Sequence, residues 1–290
     1  EQTYHSMYEA YKCIFSRLGL NFRIVQADSG NIGGSLTHEF QVLAEAGEDA
    51  LLVSSESDYA ANIEVCPAID PDSHLSQETT VETRAITLLP LEKFATPGQK
   101  TIADLAKFTG VAEKNLVKTL YFSANEGFDP LDKSLKPFAV LLRGSDEVNP
   151  VKIKNLLGLS NPPLFLTDDE VKQVTGAWPG SCGPVGLKIP VYLDNGVKDL
   201  KNYIVGANED GFHLKNVNHD RDYKVTKFAD LRMARVGDRS PDGKGFLQAF
   251  RGIEVEQVFY LGTKHSKKMG ANDLAQDGTS KPIEMGCYGI

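Results

Sequence analysis

Apolar side chains recur at steps of three and four through Tyr4, Met7, Tyr8, Tyr11, Phe15 and Leu18. That spacing predicts an amphipathic helix over residues 4–18, ended by Gly19. The period then shortens: residues 22–25 read as a strand, 37–43 alternate as a second and 50–53 as a third. A glycine-rich stretch from Ser29 to Ser35 separates the first two. One helix followed by closely spaced strands predicts an antiparallel sheet and not repeated βαβ units. From Cys66-Pro67 to Lys93 the chain turns polar, with Asp70-Pro71-Asp72-Ser73 inside it, and reads as a linker.

A second texture begins near Thr96-Pro97. Thr101 caps a short helix carrying Ile102, Leu105 and Ala106; residues 116–122 and 138–142 read as strands and 148–157 as a helix. Thr167-Asp168-Asp169-Glu170 has the spacing of a capping box ahead of Val171 and Val174. Strands follow at 189–193 and 203–205, and Asp210-Gly211 marks a turn. This middle part mixes helices and strands in α+β order. After the loop 237–245, two further strands are expected at 252–255 and 258–261.

Charge and cysteine content narrow the classes. A net charge of −8 argues against a protein that coats nucleic acid by bulk electrostatics, but not against one that holds a single RNA end in a local basic pocket. Cys13, Cys66, Cys182 and Cys287 lie far apart without a C-x-x-C pair, so free thiols in a reducing cytosol are expected, with no zinc site. No apolar run approaches the ~18 residues of a membrane helix. The chain opens on Glu1-Gln2-Thr3-Tyr4 and stops in Gly286-Cys287-Tyr288-Gly289-Ile290, which reads as a piece of something longer.

Several residues carry possible chemistry. His38 follows the glycine-rich turn, where backbone lets a ligand approach, or is simply structural. Lys118 aligns with Leu116 and Leu120, so it is solvated at an edge, snorkels, or points into an anion pocket. Gly180-Ser181-Cys182-Gly183-Pro184 can turn amides toward a carbonyl or serve as a tight connection. Cys182 has no basic partner nearby in sequence and is not expected to be a nucleophile. Asp194 ends a strand, where carboxylates often cap or bind. His213 and His219 match no metal-ligand spacing.

Longer strings are more specific. Gln26-Ala27-Asp28-Ser29-Gly30-Asn31-Ile32-Gly33-Gly34-Ser35, His38-Glu39-Phe40-Gln41-Val42-Leu43, Ser57-Asp58-Tyr59-Ala60-Ala61-Asn62, Arg251-Gly252-Ile253-Glu254-Val255, Leu261-Gly262-Thr263-Lys264 and Met285-Gly286-Cys287-Tyr288-Gly289-Ile290 strongly resemble, in order, the bacterial-type prolyl-tRNA synthetases. The resemblance implies an α+β chain: a mixed α/β editing (aminoacyl-tRNA deacylase) domain at 66–236, inserted in a partial class II synthetase antiparallel sheet at 1–65 and 237–290. It implies a parent that charges tRNA with proline using ATP and Mg2+, works as a cytoplasmic homodimer and has no membrane part. The arginines of the second and third class-defining motifs would lie outside the chain, so aminoacylation by this chain alone is not expected.

Within the insertion, the resemblance makes Lys118 the residue that holds the terminal adenosine and phosphate of the tRNA(Pro) 3′ end. Gly180, Gly183 and Pro184 belong to the family's G-x-x-x-P loop, His213 shapes the amino-acid site, and Asp194 is an acidic residue near it. The implied reaction is hydrolysis of Ala-tRNA(Pro) by an ordered water, with neither metal nor cofactor. His38, Gly262, Thr263 and Cys287 would line the parent's proline and adenylate pocket. Cys182, His219 and Glu256-Gln257 depart from the family pattern. The alternative is a synthetase-derived fragment that binds tRNA or protein without catalysis.

Overall fold

The computed structural model describes residues 1–28, 30, 34, 36–71, 87–124 and 136–289. The expectations placed on Ser29, Asn31, Ile32, Gly33, Ser35, Asp72, Ser73 and Ile290 lie outside the described residues. In chain order the elements are α1 (Gln2–Arg17), β1 (Phe22–Gln26), β2 (Leu36–Leu43), β3 (Asp49–Ser54) and β4 (Ala60–Asn62), then β5 (Glu92–Ala95), α2 (Ile102–Thr109), β6 (Val117–Ser123), β7 (Pro137–Arg143), α3 (Pro150–Leu157), β8 (Leu164–Phe165) and α4 (Asp168–Thr175). There follow β9 (Val191–Asp194), β10 (Tyr203–Gly206), β11 (Phe212–Val217), β12 (Lys227–Ala229), β13 (Leu247–Gly262), α5 (Lys264–Met269), β14 (Asn272–Leu274), β15 (Ser280–Pro282) and β16 (Met285–Cys287). The described residues of 1–73 and 234–290 form one compact unit, and those of 74–233 the other.

The first unit is built on a six-stranded sheet in the order β16-β13-β2-β1-β4-β3. Its pairs are antiparallel except β1 with β4. The helical stripe of α1 buries Tyr4 and Tyr11 against Phe40 of β2 and Val258 of β13, as its three-four spacing requires. The C-terminal strands expected at 252–255 and 258–261 are one strand, β13. A register shift between Glu254 and Glu256 lets it continue as a bulge, and Glu256 lies inside at 4% exposure. Adjacent polar residues at Glu256-Gln257 hid this continuity in the sequence.

β13 pairs with β3 up to Gly252 and with β2 from Gly252 onward. A side chain on Gly47 would reach within 2.3 Å of the Gly252 carbonyl, so the crossing is possible only without one. The polar stretch after Cys66 is packed at its start: Cys66 is fully buried with Leu52, Ala61 and Leu247, and the Arg239 amide donates to the Ile69 carbonyl at 2.9 Å.

The second unit carries a five-stranded mixed sheet, β12-β9-β7-β6-β8, and a three-stranded antiparallel one, β10-β11-β5. Its core joins Val117, Tyr121, Ala139 and Leu141 to Val171, Leu193, Tyr203 and Val205. Local signals set the helix starts. Thr101 accepts from the Asp104 amide, and Thr167 and Glu170 form both bonds of the capping box. α3 begins at Pro150 and not at Val148, because the Asn149 side chain caps the Val151 and Lys152 amides and proline suits the first helical position.

Candidate functional site

A cavity of about 350 Å³ opens beside β6 in the second unit. β6 pairs with β7 along its whole length. On its other side it meets β10 through the Leu116–Ile204 bridge and β8 through Phe122–Phe165, and the cavity is lined by the β6 residues between those contacts. The start of α2, the β8 residue Phe165 and the loop 179–182 supply further walls.

Lys118 stands on this wall and is half-buried, its ammonium donating to the Gly144 carbonyl at 3.1 Å. Burial lowers its pKa, opposed by Asp146, Glu147 and Glu113. Lys100 lines the same space. His213, 4% exposed, enters from β11. Its Nδ1 lies 2.6 Å from the hydroxyl of Thr96, which is itself fully buried, and burial lowers the imidazole pKa to about 4. The ring is therefore neutral at pH 7.

The loop after α4 presses onto β10. A Cβ on Gly183 would sit 2.0 Å from the Gly206 carbonyl, so both backbones touch directly and neither position accepts a side chain without movement. Gly180 and Cys182 face the cavity. The Gly183 amide donates to the Asn208 side chain at 2.8 Å, and its carbonyl accepts from the Tyr121 hydroxyl at 3.2 Å. Pro184 is buried and borders a separate hollow. The Cys182 thiol donates to the carbonyls of Ala177 and Trp178, and burial raises its pKa, the opposite of what a nucleophile needs.

Asp194 is placed elsewhere. Its carboxylate accepts from the amides of Gly196, Leu231 and Arg232, tying the end of β9 to the chain after β12, and it is absent from the cavity wall. Burial raises its pKa, and the Leu231 and Gly196 bonds oppose the rise. His219 packs edge-on against Phe228 with a buried Nδ1 that has no hydrogen-bond partner among the described residues. Thr96, Lys100 and Phe165 were missed in the sequence. Thr96-Pro97 marked a boundary there, and no periodic signal singled out the other two.

In the first unit, His38 hydrogen-bonds the Tyr4 hydroxyl through Nδ1 and stands opposite Val258, while Cys287 pairs with the next residue, Phe259. The two thus flank β13. Gly262 ends that strand at φ +55° and Thr263 caps α5 with its carbonyl accepting from the Lys267 amide. Among the described residues, one acidic group, Glu39, Asp49 and Glu254, brings carboxylate oxygens within 4.8 Å of one another. The Gln41 amide already donates to Glu39 at 3.0 Å and to Asp49 at 2.8 Å, and burial raises Glu39 to about 7, with neighbouring carboxylates adding to it. Donor hydrogens aimed between the carboxylates do not fit a bound Mg2+ at this cluster.

The second unit thus brings Lys118, the Gly180 loop and His213 to one cavity. Residues 96–223 match the family model of the aminoacyl-tRNA editing domain. Over its whole length the chain is a relative of the proline–tRNA ligases. It is 46% identical to those of Geobacillus sp. (strain WCH70) and Staphylococcus aureus (strain MRSA252), covering 100% of this chain and 48% of each relative. The chain thus spans about half the length of the curated relatives it matches. A solved structure of a candidate trans-editing enzyme for prolyl tRNA synthetase is 21% identical, with TM-score 0.39, covering 49% of this chain and 86% of that one. No described helix is long and apolar enough to cross a membrane.

Proposed function

We propose that the second unit hydrolyses alanyl-tRNA(Pro) and that the chain is part of a protein that charges tRNA(Pro) with proline. The observation that carries this reading is the cavity wall that joins Lys118, the Gly180 loop and the neutral His213. A water attacks the ester carbonyl, the oxygen gains negative charge, and the ribose oxygen leaves with a proton. The Lys118 ammonium is suited to oppose the charge that develops, or to hold the adjoining phosphate. Asp168 on the same wall offers an acceptor to the α-ammonium of the aminoacyl group. Buried walls at Leu105, Val171 and His213 limit the space around its side chain.

Size gives the activity its purpose. A pocket that accepts proline cannot strongly exclude the smaller alanine, since each missing methylene is worth only about 1–3 kcal/mol. A second, hydrolytic sieve that admits alanine and excludes proline removes the error.

In this reading the editing unit is inserted at 66–236 between two parts of a class II sheet, with His38, Gly262, Thr263 and Cys287 facing the ligation substrates. ATP and Mg2+ serve ligation in the whole protein, a cytoplasmic homodimer, and hydrolysis needs neither. Release of alanine from alanyl-tRNA(Pro), beside prolyl-tRNA(Pro) and a Lys118→Ala variant, tests the proposal. Alanine release should fall roughly 100-fold or more in the variant. Equal hydrolysis of the prolyl ester would remove the size argument, and full activity without Lys118 would remove its role.

A further inference from the structure

Phe165 is 56% exposed and still lines the cavity. Single exposed apolar residues are ordinary, but this one is held in an unusual way. β8 contains only Leu164 and Phe165, and their alternation turns Leu164, 77% exposed, to the other face. The backbone on either side is fixed: Phe165 pairs with Phe122, and the Leu166 amide donates to the Tyr121 carbonyl at 3.0 Å. Pro163, just before this strand, is buried. The Phe165 ring rests against Phe122 with centroids 4.3 Å apart, and Phe122 in turn stacks on Phe138 at 5.6 Å. Both supporting rings are buried, at 0% and 2% exposure.

We infer that Phe165 is the platform on which the terminal adenine of the aminoacyl-tRNA stacks while its ester lies inside the cavity. One side of the ring is braced by a rigid aromatic stack and much of the rest is open to solvent. Flat purine rings bind such surfaces without regard to hydrogen-bond pattern. Lys118 and Lys100 on the same wall supply positive charge for the phosphate attached to that nucleoside. Adenosine ends every tRNA, so a platform beside a hydrolytic cavity serves any tRNA that reaches it. The aminoacyl group is then left to decide the outcome. This inference rests on the editing activity proposed above.

The test compares the wild-type chain with Phe165→Ala and Phe165→Tyr on 3′-O-alanyl-adenosine and on 1-O-alanylglycerol, an ester without a base. Losing the platform should raise KM for alanyl-adenosine roughly 5- to 150-fold, the loss expected for one stacked base. Hydrolysis of the glycerol ester should fall far less than that of alanyl-adenosine, and the tyrosine variant should restore the KM for alanyl-adenosine. A parallel loss on both esters would mean that Phe165 only supports the fold, and no change on either would remove it from binding. Either outcome overturns the inference. A wild-type chain inert toward both esters defeats the editing proposal separately. Stacking is then read without hydrolysis in a double variant, Phe165→Trp with Trp178→Phe, whose single indole stands at the platform. Quenching of that indole's emission by the trinucleotide cytidylyl-cytidylyl-adenosine supports the platform, and its absence sinks it.

Discussion

The Nδ1 atom of His213 lies 2.6 Å from the Thr96 hydroxyl, and both residues are almost wholly withdrawn from solvent. The contact joins β11 to the residue that follows β5, where the Thr96 amide also donates to the Gly211 carbonyl at 2.7 Å. It fixes the ring orientation of a histidine that burial keeps unprotonated.

That neutrality has a stability consequence. The folded-state pKa of His213, about 4, lies below its ordinary 6.5, so between these values the unfolded chain binds the proton more readily. The contribution is fully present above pH 6.5 and is lost as pH falls toward 4, an effect on the order of 3 kcal/mol. Urea unfolding of the wild type and His213→Gln at pH 7 and pH 4.5 checks this. The gap in pH dependence between the two proteins should carry that sign, and identical slopes would contradict it. Thr96→Val should cost about 1–3 kcal/mol at pH 7 by leaving a buried ring nitrogen unpaired.

Gly183→Ala should damage the site without touching any charged group. The added methyl would meet the Gly206 carbonyl, forcing the loop away from β10 and moving Gly180 and Cys182 on the cavity wall. Overpacking of this kind costs roughly 1–3 kcal/mol. Thermal unfolding and alanyl-tRNA hydrolysis should therefore both decline. A variant as stable and as active as the wild type would show that the two backbones can separate freely.

Glu39→Gln should stabilise the first unit at high pH. A carboxyl raised to about 7 holds its proton in the folded state after the unfolded chain has released it, so stability falls as pH climbs from about 4.5 through 7. The substitution removes that loss. Melting temperatures at pH 8 should rise relative to the wild type and converge near pH 4, and a rise of equal size at both values would point to another cause.

Much of this architecture was readable before any coordinates. The stripe from Tyr4 to Phe15, the caps at Thr101 and Thr167 and the strand around Lys118 are local signals that the structure keeps, while Leu18 falls just past the helix and is exposed. The residues that the resemblance assigned to the editing site include Lys118, Gly180 and His213, which line one cavity. What stayed hidden depends on neighbours distant in the chain. β5 is a solvent-facing strand with two charged residues, so alternation does not reveal it, although its partner strand bears His213. Phe165 belongs to a two-residue strand, too short for any period. Asp194 was legible as a polar strand end, but the three amides it accepts from include two beyond β12.

Strand β13 also governs the order in which the chain can acquire its structure during synthesis. Its Gly252 stands opposite Leu43 and Asp49, residues that leave the ribosome long before it does. Until β13 emerges, the inner edge of β2 has no permanent partner, and an open edge invites pairing with other chains. Among the described residues, every strand of the unit at 74–233 pairs within that unit, which has emerged before that moment. Vectorial folding therefore finishes the later-starting unit first, and the first unit waits as an unfinished sheet. Aggregation during expression should accordingly respond to the elongation rate through 74–233 more than to the final stability of either unit.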